Sequence, residues 1–234
     1  MHEREDIDPE LTRPRLRQAD LRDGLAVVSR QSAPRGDWSA FLRGFLRCPG
    51  RVASVVPSSG RLEQRLVRCA LAGDADVVLE LGPGTGGTSR ALLAAMRGDA
   101  RLLAIEIEPA FQAHLCRNIR DPRFAAHLGS AEDIEQALLA HGLQAPQAIV
   151  SGIPFSTMPL EAADRIAAAI GRALAPGGRF VAYQVRAHVA GCASPYLGPP
   201  QRQWEWINLP PVRVFTWTKS RAAPGRQAMP GGTA

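Results

Sequence analysis

The sequence predicts an α/β fold: a seven-stranded, mostly parallel sheet with an antiparallel pair at one edge and helices ahead of it. Three observations predict it. In residues 77–96, VVLELGPGTGGTSRALLAAM, an apolar strand-like run gives way across a glycine turn to helical spacing through Leu92, Leu93 and Met96, as at the start of a parallel α/β unit. Apolar runs then alternate with helical patterns as far as residue 185, which implies parallel strands joined by crossover helices. Last, WEWINL and VRVFTW, divided by Pro210 and Pro211, read as an antiparallel edge pair, with Val212, Val214 and Thr216 alternating against Arg213, Phe215 and Trp217.

Composition is compatible with one domain of this kind. The chain has 234 residues, 45% of them hydrophobic, and contains no stretch near the roughly 18 apolar residues of a membrane span. It begins MHEREDIDPE, unlike a secretory leader, so a cytoplasmic location is expected. Four segments are expected: an irregular or flexible extension (1–36), a block of amphipathic helix, Pro-Ser-Ser loop and capping helix (37–72), the ligand-binding domain (73–220) and a disordered tail (221–234). Four scattered cysteines and five scattered histidines give no metal-ligand spacing, and no metal is expected.

Charge is unevenly divided. Residues 30–70 and 179–234 each carry a net +6, while 71–178 carry −4. Basic flanks around an acidic middle suit an anionic surface, membrane or nucleic acid; the bland alternative is a solvated face in an arginine-rich proteome.

In chain order, residues 14–29 offer a loosely periodic short helix. Trp38, Phe41, Leu42, Phe45 and Leu46 then recur at helical spacing behind Asp37 as N-cap, with Arg43 and Arg47 toward the other face. This helix either inserts its aromatic face at a membrane while the arginines meet phosphate, or packs on the sheet or caps the active site. A Pro57-Ser58-Ser59 turn leads into a helix from about residue 60 to 71, which Ser59 is placed to cap. Beyond the glycine turn the sequence predicts a helix over 89–97, a strand over 102–106, a helix from Pro109, a third strand and its helix within 123–143, and a fourth strand in QAIVSG. Ala163, Ile166, Ala167, Ile170 and Leu174 mark a long core helix, and FVAYQV a fifth strand. HVAGCASPYLGPP is rich in Gly and Pro and reads as a loop on the substrate side.

The glycine turn carries the chemistry. Gly82, Pro83, Gly84, Thr85 and Gly86 form a close-approach loop, and Gly82, Gly84 and Gly87 alone also satisfy the dinucleotide pattern G-x-G-x-x-G. The neighbours discriminate. Glu80 would repel a pyrophosphate but pair with an ammonium group, and Glu106, closing RLLAIE, can accept both hydrogen bonds of a ribose diol. S-adenosylmethionine has an ammonium group and a bare ribose.

With those residues, ELGPGTG followed by AIEIEPAF resembles the Rossmann-like class I S-adenosylmethionine-dependent methyltransferases. FLRGFLRCPGRVASVVPSS (41–59), IVSGIPFSTMP (149–159) and WINLPPVRVFTW (206–217) resemble bacterial phospholipid N-methyltransferases acting on phosphatidylethanolamine, with relatives that act on ornithine lipids; rRNA adenine dimethyltransferases are similar enough to compete. The resemblance implies cofactor contacts at Glu80 and the glycine loop, at Glu106 and Ile107, and at Ser130, Ala131 and Glu132 beside the adenine. Ser130 stands where the family usually has Asp, and capping of the next helix competes as its role.

The acceptor station reads Ser151-Gly152-Ile153-Pro154-Phe155. Adenine methyltransferases usually place an Asn or Asp here, followed by an aromatic ring that stacks on the base; neither pattern is kept, which favours a lipid amine over nucleic acid. Ser151 and the Gly152 and Ile153 carbonyls are expected to accept from the amine, with Phe155 and Tyr183 flanking a methylated, cationic product. Ser58, Ser59, Arg186 and Asn208 complete the expected substrate contacts. The resemblance thus implies a peripheral enzyme of the inner membrane, a monomer or weak dimer.

Overall fold

The computed structural model describes residues 59–208 and 211–221. The expectations for the 1–36 extension, for the helix bearing Trp38, Phe41, Leu42, Arg43, Phe45 and Arg47, for Ser58, and for nearly all of the tail lie outside the described residues.

A seven-stranded sheet has the order β3-β2-β1-β4-β5-β7-β6. Strands β1 (Val77–Leu81), β2 (Arg101–Glu106), β3 (Phe124–Leu128), β4 (Ala148–Ser151) and β5 (Arg179–Gln184) are parallel. Strand β7 (Val212–Thr218) runs antiparallel between β5 and the edge strand β6 (Gln201–Glu205). Every residue of β1 and β4 is buried, which explains why these segments read as continuous apolar runs.

Helices α1 (Gly60–Ala70), α2 (Gly87–Ala95) and α3 (Pro109–Asn118) share one core cluster: Leu62, Leu66, Leu92 and Leu115 pack with Val78, Val150 and Val214. The opposite cluster joins α4 (Ile134–Ala140), α5 (Leu160–Ala173) and α6 (His188–Leu197) with Leu79, Leu103, Phe180 and Phe215. There Phe180 stacks on Trp217 with ring centroids 5.0 Å apart, a pair worth about 1 kcal/mol beyond its burial. The spacing predicted for α5 holds: Ala163, Ile166, Ala167, Ile170 and Leu174 are all buried.

The fold corrects two readings. HVAGCASPYLGPP is a helix for most of its length, with Val189, Ala190, Cys192 and Ala193 buried despite Pro195 inside it. Tertiary packing overrides the local signal: α6 crosses α5 so closely that a Cβ on Gly171 would stand 2.9 Å from the Tyr196 Cβ, and the Tyr196 hydroxyl donates to Asp164 at 3.0 Å. The edge strand is QRQWE, ending at Glu205, four residues short of WEWINL's end. Its first four residues are exposed on a sheet edge, so it carries no alternation to read.

Candidate active site

Chain connections leave β1 and β4 in opposite directions, β1 toward β2 and β4 toward β5, which opens a crevice at the carboxyl ends of these neighbouring strands. The two loops there touch. Gly152 donates its N–H to the Leu81 carbonyl at 2.9 Å, and a Cβ on Gly152 would lie 2.9 Å from both the Gly82 carbonyl oxygen and the Tyr183 hydroxyl. Only glycine fits there.

Gly82, Gly84 and Gly86 all take positive φ, at 68°, 56° and 83°. Their surroundings differ from one another. A Cβ on Gly84 meets nothing within 4 Å, so this glycine faces open room, whereas one on Gly86 would stand 2.7 Å from Leu115 Cδ2; Gly86 serves helix packing.

Four carboxylates gather around the loop. Glu80 is buried and accepts from Ser89 Oγ at 2.5 Å. Burial pushes its carboxyl up to about 7; the Ser89 hydrogen bond opposes this, and nearby Glu106 and Glu63 add to it. Glu106 accepts from the Gly84 N–H at 3.2 Å and from the Glu108 N–H at 3.0 Å, tying the glycine loop to the end of β2. Burial raises its pKa as well, against those backbone bonds. Glu63 of α1 closes onto Gly87, where a Cβ would be 2.5 Å from its Oε1; burial raises its pKa while Arg90 lowers it. The fourth, Glu108, has a buried Oε2 without a hydrogen-bond partner. An ammonium group beside Glu80 and a ribose diol against Glu106 and Glu108 would neutralise or satisfy these oxygens, so the residues fit S-adenosylmethionine. Ser89 and Glu63 were missed from sequence: a small polar residue in a helix and a lone acid in a basic segment give no local signal.

Several expected contacts are committed elsewhere. Ser151 is fully buried and its Oγ accepts from the Ile153 N–H at 3.2 Å, so the hydroxyl braces its own loop. The Ile153 carbonyl accepts from the Phe155 N–H at 3.0 Å and from Gln184 Nε2 at 2.7 Å, so it is committed within the fold. Gln184, buried with Oε1 unpartnered, was also missed, since a polar residue closing a strand reads as exposed. Phe155 is 0% exposed and belongs to the core, not to an aromatic wall, because its turn packs under α6. Pro154 is half-buried beside it.

Around the adenine station, Ser130 is buried and caps a short turn, accepting from the Glu132 N–H at 3.1 Å. Ala131 is buried behind it and Ile107 half-buried. The Glu132 side chain is taken by a two-pronged pair with Arg165, at 2.9 and 3.2 Å. The Tyr183 hydroxyl stands beside Gly152, 2.9 Å from where a Cβ there would lie. Arg186 borders a different space, a cavity of about 680 Å³ with Leu160, Asp164, His188 and Cys192. Ser59 caps α1 by accepting from the Leu62 N–H at 3.2 Å, and its own N–H donates to Asn208 Oδ1 at 3.3 Å; buried Asn208 therefore latches the β6–β7 connection to α1. Pro83 is buried in the loop and Thr85 exposed at its tip. Among the described residues no cluster of His, Cys, Asp and Glu is placed to hold a metal, and no helix is long and apolar enough to cross a membrane.

A methyltransferase-domain family model matches residues 78–178. An ornithine lipid N-methyltransferase of Singulisphaera acidiphila is 30% identical over 145 residues, 62% of this chain and 76% of that protein. A ribosomal RNA small subunit methyltransferase A of Phenylobacterium zucineum is 35% identical over 97 residues, but these span only 32% of its length. Among solved structures, Burkholderia thailandensis 1,6-didemethyltoxoflavin-N1-methyltransferase, with S-adenosylhomocysteine bound, superposes with a TM-score of 0.61 at 18% identity, covering 82% of this chain and 92% of that one.

Proposed function

The chain belongs to the class I S-adenosylmethionine-dependent methyltransferases, and on that premise we propose that it N-methylates the headgroup amine of a membrane lipid, ornithine lipid ahead of phosphatidylethanolamine. One observation carries the reading: Ser151 is turned inward, the loop's own residues Ser151-Gly152-Ile153-Pro154-Phe155 include no side-chain amide or acid to hold a nucleobase, and the Gln184 amide that reaches the loop donates to the Ile153 carbonyl. The 145-residue match to an ornithine lipid enzyme supports it and moves ornithine lipid to first place.

S-adenosylmethionine supplies a methyl group already activated on a sulfonium. The chain has to hold the amine and strip it of water. Gly152's carbonyl accepts one amine hydrogen, and Tyr183 limits the space beside it. A lipid ammonium must lose its proton before attack; a desolvated site favours the neutral amine, and with no His or acid in the acceptor loop the proton leaves through water. Glu80 balances the cofactor's ammonium and Glu106 its ribose. We place the enzyme at the cytoplasmic face of an anionic inner membrane, as a monomer or weak dimer.

A radiolabelled-methyl assay against vesicles of ornithine lipid or phosphatidylethanolamine, with rRNA in parallel, tests this. Labelled lipid with unlabelled rRNA supports it. A second reading, rRNA adenine methylation, draws on the shorter matches to ribosomal RNA methyltransferases; label in rRNA adenine alone would put it first.

A further inference from the structure

Strand β6 runs parallel to β5, because both are antiparallel to β7, so it ends at the same edge of the sheet as the site. Trp204 of β6 pairs with Arg213, which pairs in turn with Gln184 of β5. Beyond that row the surface is unusually apolar: Trp204, Trp206 and Ile207 are 40%, 67% and 60% exposed. The two indoles stack at 4.8 Å and 15°, and the Arg213 guanidinium lies 4.4 Å from the centre of the Trp204 ring. Against them α1 presents Arg61, Arg65 and Arg68 around a shared cavity of about 550 Å³. Arg65 is paired with Glu205 at 2.7 Å, so Arg61 and Arg68 supply the surplus charge.

We infer that this patch docks the enzyme on a bilayer bearing anionic headgroups, with Trp206 and Ile207 in the interfacial layer and Arg61 and Arg68 on phosphates. A contiguous exposed apolar surface rimmed by charge marks a contact site, and indoles favour the membrane–water boundary, where the ring is shielded and the N–H remains wet. The positive rim complements an anionic bilayer. Nucleic acid is the weaker occupant, because base stacking needs free aromatic faces, while Trp204 is already engaged by Trp206 and Arg213, and an exposed isoleucine offers a base nothing. The Asn208–Ser59 latch fixes the patch to α1, and α1 reaches the glycine loop through Glu63, so a docked enzyme holds its acceptor edge toward the headgroups. The inference rests on the lipid reading only for its purpose, not for the binding itself.

The test uses the full chain and vesicles of phosphatidylcholine with or without phosphatidylglycerol, neither of which has an amine to methylate. Arg61→Glu and Arg68→Glu should each weaken sedimentation with phosphatidylglycerol vesicles by about fivefold or more at low salt. Trp206→Ser should remove the part of binding that survives high salt, while Arg117→Glu and Leu139→Ser, on exposed positions elsewhere, leave binding unchanged. All variants should keep the wild-type thermal transition and cofactor affinity. Wild-type vesicle binding by the three patch variants overturns the inference, as does loss of binding to an rRNA fragment with vesicle binding intact. Methylation of detergent-dispersed ornithine lipid or phosphatidylethanolamine, which needs no docking, separates the two readings: patch variants active there but not on phosphatidylglycerol vesicles that also carry that amine lipid, where the wild type is active, support both. Vesicle docking without any lipid methylation supports the surface and defeats the lipid substrate.

Discussion

A methyl group on Gly152 would stand 2.9 Å from the Gly82 carbonyl oxygen, so the loops leaving β4 and β1 meet backbone to backbone at the site. On the proposed function, this contact sets where the acceptor amine lies relative to the glycine loop. Gly152→Ala should therefore cost about 1–3 kcal/mol through overpacking, and lower kcat more than it weakens cofactor binding. Thermal denaturation and steady-state kinetics measure the two effects, and an unchanged kcat in a folded variant would remove Gly152 from the acceptor site.

Glu80 makes the stability of the cofactor-free protein depend on pH. Its carboxyl titrates at about 7 when folded, against 4.5 as the reference value. Below pH 4.5 it is protonated in both states and costs nothing. As pH rises from 4.5 to 7 the unfolded chain releases the proton more readily, so this group's stabilising contribution falls, by a few kcal/mol in all, and then levels off. Glu80→Gln should thus gain thermal stability relative to wild type at pH 8 and little at pH 4.5. An equal difference at both values would contradict this assignment.

Glu106→Gln replaces a carboxylate that accepts from Gly84 and Glu108 with a neutral amide. S-adenosylmethionine affinity should drop by about 1–3 kcal/mol, from weaker hydrogen bonds to the ribose and a less fixed glycine loop. Calorimetric titration reads this directly, and unaltered affinity would displace Glu106 from the ribose.

Leu71, the C-cap of α1, has φ of 51° and is 45% exposed. A leucine there is strained and buries little, so Leu71→Gly should stabilise the protein by roughly 0.5–1 kcal/mol, a rise of about 2–4 °C in Tm per kcal/mol. A lowered Tm would show that the lost side-chain contacts outweigh the strain.

The sequence by itself determined the features encoded within a few residues of one another. The change from strand to helical period around Gly82–Gly84–Gly86, the acids Glu80 next to the end of β1 and Glu106 closing β2, the α5 core spacing and the Ser59 cap are all local, and the structure shows each of them. Tertiary structure decided the partner of each polar group. Ser151 turns to Ile153, Glu132 is held by Arg165 from α5, and Asn208 binds a residue 149 positions away, because a buried hydrogen-bonding group takes whichever partner the sheet order brings to it. Packing likewise made a helix of the Gly- and Pro-rich segment at His188–Leu197, since the apolar face buried against α5 outweighs weak local propensity. The Trp204–Arg213 surface exists only through β6–β7 pairing, a register that neither strand's own sequence contains.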